Sequence, residues 1–341
     1  GGSDLLKEAI ITKLERDNGL LYEKNQILAS CGAKHSFYNL AQVLWQAGDE
    51  VIIPAPYWVS FPEIVILSGA RPLIVHAGAE QDFKITPEQI ENAVTPNTKA
   101  ILINSPSNPT GSAYDKNELE KLAEVALRHN LLIITDEIYE QIVFDGFQHT
   151  SIASISQEVQ KQCVVINGVS KSYAMTGWRI GYIAAGDPEI VKQAGKLQGQ
   201  STSNPCAISQ AASIEALTGP LDEVHEMVRE FEKRRNIIVE QLSKIPGVTC
   251  NKPKGSFYSF PDFSGVYGKK DGNGKVIKGS IDFTDYLLSA EKVAIVPGIA
   301  FGADAHARLS FATSLDKIEA GVHRIKEAIS RLRPAAGGNE Q

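Results

Sequence analysis

Five short runs of unbroken apolar residues, separated by helical patterns, constrain this chain more than any other feature. They are Val51-Ile52-Ile53, Leu73-Ile74-Val75, Ala100-Ile101-Leu102-Ile103, Leu131-Leu132-Ile133-Ile134 and Val164-Val165-Ile166. A strand with one wet face alternates apolar and polar residues, whereas a run with no polar position is buried on both faces. Between the runs the period becomes helical, from about Lys34 to Trp45, where Ala47-Gly48-Asp49 stops it, and from about Lys116 to His129. Doubly buried strands alternating with helices predict an α/β fold, with a mostly parallel central sheet and helices on both faces. Ahead of them, Asp4 is placed to cap a helix through Leu14 that carries Leu5, Leu6, Ala9, Ile10 and Leu14 on one face.

The second half reads differently. A long, charge-rich helical pattern covers about Leu221 to Leu242, and strand-like pieces follow at Ser256–Phe260 and Val293–Val296. Gly268–Ser280 is polar and glycine-rich, as an exposed loop or hairpin is, and its spacing fails the calcium-loop pattern. These changes predict a large domain over residues 1–230 and a smaller C-terminal α/β domain over 231–341.

Ligands of open parallel sheets sit beyond the carboxyl ends of the strands, so the residues after each apolar run are where chemistry should collect. Trp58 follows the first run, Asn108 the third, Asp136 and Tyr139 the fourth, and Ser170 and Lys171 the fifth. An aromatic ring, an amide, a carboxylate with a phenol, and an amine suit a flat, polar, heteroaromatic cofactor. Dinucleotide binding, P-loop chemistry, serine hydrolysis and zinc proteolysis all lack their motifs here. There is no G-x-G-x-x-G, no phosphate-binding G-x-x-x-x-G-K-[ST], no G-x-S-x-G and no H-E-x-x-H.

Composition closes other routes. With 34 Lys and Arg against 40 Asp and Glu, the net charge of −6 gives no basic footprint for nucleic acid. No run approaches the roughly 18 apolar residues of a membrane span. Cys31, Cys163, Cys206 and Cys250 form no C-x-x-C pair, which predicts free thiols in a reducing cytoplasm. None of the seven histidines falls at a metal-ligand spacing in sequence, so no metal is expected.

The stretch Ser170-Lys171-Ser172-Tyr173-Ala174-Met175-Thr176-Gly177-Trp178-Arg179-Ile180-Gly181-Tyr182 closely resembles the lysine motif of class I/II aminotransferases. Asn108-Pro109-Thr110-Gly111, Asp136-Glu137-Ile138-Tyr139 and Arg308-Leu309-Ser310-Phe311-Ala312 match the same family in the same order. The likeness spans essentially the whole chain and is strongest to the bacterial and plant aspartate/prephenate branch of the fold-type I pyridoxal-phosphate enzymes.

The resemblance implies pyridoxal 5'-phosphate as cofactor, held by Lys171 as a Schiff base, with the same lysine shuttling a proton. Asp136 is then the partner of the pyridine nitrogen, Tyr139 and Asn108 the partners of the ring oxygen, and Trp58 the stacking ring. Arg179, Ser170 and the backbone of Gly32, Ala33 and Lys34 at a helix start are the phosphate site. Gly168 stands where many relatives carry a phosphate-binding hydroxyl. Arg308, with Trp58 and Asn108, is the substrate site, and Gln42 aligns with a basic side-chain selector of some aspartate-specific relatives.

The implied reaction moves an amino group between an L-amino acid (aspartate, glutamate, or an aromatic or prephenate-type one) and a 2-oxo acid such as 2-oxoglutarate. A cytoplasmic homodimer with shared active sites is implied too. Relatives carry a further segment ahead of the position of Gly1, which completes the small domain and reaches the partner subunit, so the resemblance implies that this sequence is N-terminally truncated, without that arm and the first part of the small domain. Two other readings stay open: a β-lyase or elimination on the same fold, and a non-catalytic, cofactor-binding sensor domain.

Overall fold

The apolar runs become strands of one seven-stranded sheet, in the order β1-β7-β6-β5-β4-β2-β3. The strands are β1 (Ile27–Ser30), β2 (Glu50–Ala55), β3 (Arg71–His76), β4 (Thr98–Asn104), β5 (Leu132–Asp136), β6 (Cys163–Gly168) and β7 (Gly181–Ala185). Neighbours from β3 through β6 pair in parallel, and β7 alone runs the other way, between β6 and β1. This computed structural model describes residues 1–334.

Unbroken apolar runs serve this sheet because successive side chains leave a strand on opposite faces. Ile52, Ile101, Ile103, Ile133 and Val165 enter one core, against the helices Asp4–Asn18 and Lys116–Arg128. Val51, Ile53, Leu102, Ile134 and Val164 enter the other, against Ala33–Leu44, Ser60–Leu67 and Pro188–Ser201. Full burial of each such side chain contributes about 1.5–3 kcal/mol.

Three expectations need correction. The first helix is capped by Ser3, whose side chain accepts from the Leu6 backbone N–H at 3.2 Å, and Asp4 is its first residue. Its buried stripe is Leu6, Ala9, Ile10, Lys13 and Leu14, while Leu5 is 66% exposed. Strands β1 and β7 were not foreseen, because Ile27-Leu28-Ala29-Ser30 and Gly181-Tyr182-Ile183-Ala184-Ala185 dilute their branched residues with small ones. The later strand-like pieces shrink to β8 (Tyr258–Ser259) and β9 (Val296–Pro297), which flank β10 (Ala307–Ser310) in a three-stranded antiparallel sheet.

That small sheet packs with the helices Asp222–Ser243, Ser280–Glu291 and Leu315–Ser330 around a third core. Ile138, Ile142 and Phe144, just beyond β5, join the same core. The expected division at residue 230 falls within the helix Asp222–Ser243, and residues 335–341 of the second part lie outside the described residues. Among the described residues no helix is long and apolar enough to cross a membrane.

Candidate active site

Register places the carboxyl ends of the central strands side by side. Asn104 of β4 lies opposite Asp136 of β5, Asp136 opposite Ile166 of β6, and Gly168 opposite Gly181 of β7. The loops leaving those ends border a cavity of about 300 Å³, within the range that holds small ligands. Every candidate residue except Gly32 and Gln42 lines it, and Arg308 reaches it from β10 of the small sheet.

Two groups on the cavity floor have displaced acidities. Asp136 is buried and its carboxyl is pushed up to about 7, chiefly by loss of water and further by Glu137; a hydrogen bond from the Ile138 N–H (3.2 Å) and the nearby Lys171 oppose this. Lys171 is half-buried, and its amine is held below the ordinary lysine value by burial first, then by the charges of Arg179 and Arg308, with Asp136 opposing. An amine that sheds its proton readily and an acid that keeps one near neutrality are what proton transfer needs.

Two guanidinium groups bracket this pair. Arg179 has left-handed backbone (φ 55°), a conformation costly for a residue other than glycine and common at functional sites. Its Nη1 donates to the Thr176 carbonyl at 2.9 Å. Gly32, at φ 93°, has a backbone conformation that strains a residue with a side chain, and a Cβ there would also displace the Arg179 guanidinium. Gly32 therefore makes room for the cation where the helix Ala33–Leu44 starts, rather than lining the cavity itself. The missing hydroxyl at 168 also has a packing cause. A Cβ on Gly168 would lie 2.7 Å from the Ile180 carbonyl oxygen, and the cavity is lined instead by the hydroxyl residues Ser170 and Thr176.

Arg308 lies between the rings of Tyr258 and Phe301, its guanidinium carbon 4.4 and 4.9 Å from their centres. Its Nη1 donates to Asn108 Oδ1 at 2.8 Å, while the Asn108 N–H donates to Asn104 Oδ1 at 2.9 Å. The Tyr139 hydroxyl is buried 3.1 Å from that of Tyr258. At the outer rim the Lys34 ammonium lies 4.9 Å over the Trp58 ring, and among the described residues it forms no ion pair. Gln42 does not line the cavity. It sits eight residues beyond Lys34 on one helix, about 12 Å along the axis, and Lys34 is the cation of that helix that lines the cavity.

Behind the floor, Lys13 from the first helix pairs with buried Glu140, which also accepts from Asn18 (2.8 Å) and Asn167 (2.6 Å). This ties the loop after β5 to the end of β6, and so fixes Tyr139 relative to Lys171. Glu137, Glu140 and His149 gather with ligand atoms within 4.8 Å of one another, a proximity that no sequence spacing shows. Lys13 already balances Glu140 there.

A sequence model of the family described as aminotransferase class I and II matches residues 1–325. The chain belongs to this family. The aspartate aminotransferase of Bacillus sp. (strain YM-2) is 51% identical over 325 residues, covering 95% of this chain and 81% of that protein. A Rickettsia typhi protein named probable aspartate/prephenate aminotransferase is 45% identical over 332 residues, 97% of this chain and 83% of that one. The crystal structure of the aspartate aminotransferase from Rhizobium meliloti matches with a TM-score of 0.94 at 43% identity, covering 97% of this chain and 83% of that one.

As an aminotransferase the protein moves an amino group between an amino acid and a 2-oxo acid. Sequence reasoning missed four residues that line this aminotransferase's cavity: Asn104, Ile138, Thr176 and Tyr258. Asn104 ends β4, where the strand-end rule could have found it. Tyr258 lies in a short strand far along the chain, and only tertiary packing brings it to the site.

Proposed function

We propose that this aminotransferase works with pyridoxal 5'-phosphate in the cavity around Lys171 and prefers an acidic amino donor such as aspartate, with 2-oxoglutarate as acceptor. The observation that carries the reading is the pairing of a depressed amine, Lys171, with a buried acid of raised affinity for protons, Asp136, in one cavity. The residues fit the cofactor. A buried carboxyl waits for a basic ring nitrogen, a cation and helix-start N–H groups wait for a phosphate, and Trp58 offers a ring face. When bound, pyridoxal phosphate supplies an aldehyde carbon to take the amino group and a ring that accepts the electron pair left at the substrate Cα.

The chain's own residues supply the rest. Asp136 holds a proton on the ring nitrogen. The Lys171 amine would anchor the aldehyde carbon and, once the substrate's amine displaces it, would move the proton from the substrate Cα to that carbon. With Asn108 Oδ1 turned to Arg308, its Nδ2 is left to donate to the ring oxygen beside Tyr139. Arg179, Ser170 and the N–H groups of Ala33 and Lys34 hold the phosphate. Arg308 clamps the α-carboxylate in a two-pronged pair, which orients the Cα–H bond.

Residues 1–230 then form the cofactor-binding domain and 231–341 the smaller one. We further infer a homodimer, supported by exposed apolar side chains such as Ile208 (79%) and Trp178 (46%). A cytoplasmic site agrees with four unpaired cysteines.

Lys34 is the ground for an acidic donor, since an unpaired cation beside Trp58 suits a second carboxylate. Incubating the enzyme with aspartate and 2-oxoglutarate should yield oxaloacetate and glutamate in equal amounts; ammonia release without glutamate would favour the elimination reading instead. Lys34→Ala is expected to lower kcat/KM for aspartate about 10-fold and for phenylalanine less than about 3-fold, since solvent screens the charge of this exposed lysine. An equal loss for both donors would remove Lys34 as selector.

A further inference from the structure

We propose that Tyr258 is a positioning residue for transamination: its hydroxyl donates to Tyr139, turning the Tyr139 proton toward the cofactor oxygen, and its ring seats Arg308. The proposal rests on the assignment of Tyr139 as a donor to that oxygen.

Two buried hydroxyls 3.1 Å apart share one hydrogen bond, so one of them donates and the other keeps its own proton for another acceptor. Both line the cavity, and among the described residues neither has another hydrogen-bond partner. The direction decides what Tyr139 can do. If Tyr139 donated to Tyr258, its proton would be spent; if it accepts, its O–H is free to point at a ligand.

The position of Arg308 over the Tyr258 ring favours acceptance. Tyr258 ends the hydrogen-bonded register of β8 with β10, opposite Ser310, so its ring reaches diagonally to Arg308 on the same face. The guanidinium lies 4.4 Å from the ring centre. A cation over a phenol ring draws electron density from it and makes the O–H the stronger donor. A hydroxyl that accepts such a bond becomes in turn a better donor itself. The charged groups facing Tyr139 are Arg308 from β10, Asp136 at the end of β5, and Lys171, whose amine is 5.9 Å from the Tyr139 ring. Tyr258 thus joins the carboxylate clamp and the ring-oxygen donor into one unit that bridges the two parts of the chain.

The test is a pH titration of the visible absorbance of the holoenzyme, for wild type, Tyr258→Phe, Tyr139→Phe and the double variant. A hydrogen bond to the ring oxygen favours the form in which that oxygen carries more negative charge, so losing or weakening it raises the midpoint. Tyr139→Phe should raise it by about 1 pH unit or more and Tyr258→Phe by ~0.5 unit. In the Tyr139→Phe background Tyr258→Phe should add nothing. Tyr258→Phe keeps the ring and should leave KM for the donor within about 2-fold, while Tyr258→Leu should raise it about 10-fold.

A Tyr258→Phe midpoint equal to wild type, or a shift of the same size with and without Tyr139, would overturn the proposal while leaving the Tyr139 assignment standing. An unchanged midpoint in Tyr139→Phe would overturn that assignment and the proposal with it. Thermal unfolding of each variant establishes that the comparison is between folded proteins.

Discussion

Replacing Lys171 by alanine is expected to lower amino-group transfer by about 10⁴-fold or more, because one side chain is both covalent anchor and proton carrier. Folding should be little affected, since the lysine is half-buried and makes no ion pair among the described residues. The wild-type amine carries a pH signature that checks the same assignment. Burial, Arg179 and Arg308 hold it below the ordinary lysine value, so at any given pH more of it is neutral than in a free lysine. Capture of added pyridoxal phosphate by cofactor-free protein should therefore rise with pH and level off before the ordinary lysine range. Arg308→Gln removes one of the depressing charges and should move that curve to higher pH. Rapid-mixing absorbance measurements would read both effects, and an unshifted curve in Arg308→Gln would count against the electrostatic account.

Asp136→Asn is expected to separate activity from stability. Turnover should fall by about 10³-fold, because an amide does not hold a proton on the ring nitrogen and the ring then accepts electrons poorly. The cofactor-free protein should nevertheless become more stable above neutral pH. An acid whose value is raised on folding binds its proton more tightly in the folded state. Its stabilising effect is full below the unfolded value of 3.8 and is lost as the pH rises through about 7. At pH 8 the buried carboxylate is thus a burden of up to ~4 kcal/mol that asparagine does not carry. The asparagine oxygen can still accept from the Ile138 N–H. Denaturant unfolding at pH 8 and pH 5 provides the check: the gain should be large at pH 8 and shrink at pH 5. A variant less stable than wild type at pH 8 would mean that the acid is not strained by its burial.

What could be read from the sequence follows the strength of the local signal. Val51–Ile53 and Ala100–Ile103 announced doubly buried strands because nothing polar interrupts them, and their carboxyl ends led directly to Trp58 and Asn108. Strands β1 and β7 escaped because alanine, serine and glycine within them mute the same signal. Lys34 shows a different limit. Its place after Gly32-Ala33 suggested backbone donors at a helix start, whereas its side chain turns to the Trp58 ring and the cavity. The first turn of a helix decides that direction, and an alignment to Gln42 two turns later does not contain it. Tyr258 and the Lys13–Glu140 pair were invisible for a simpler reason: each contact joins residues more than a hundred positions apart.

Lys171 is proposed as the residue to which the cofactor is joined. Holoenzyme treated with borohydride, which fixes a carbonyl–amine linkage, then digested and mapped by mass spectrometry, tests it most directly. One pyridoxyl-phosphate group per chain is expected, on the peptide containing Lys171. Label on Lys34 or any other lysine, or none at all in protein that carries the visible cofactor absorbance, would contradict it.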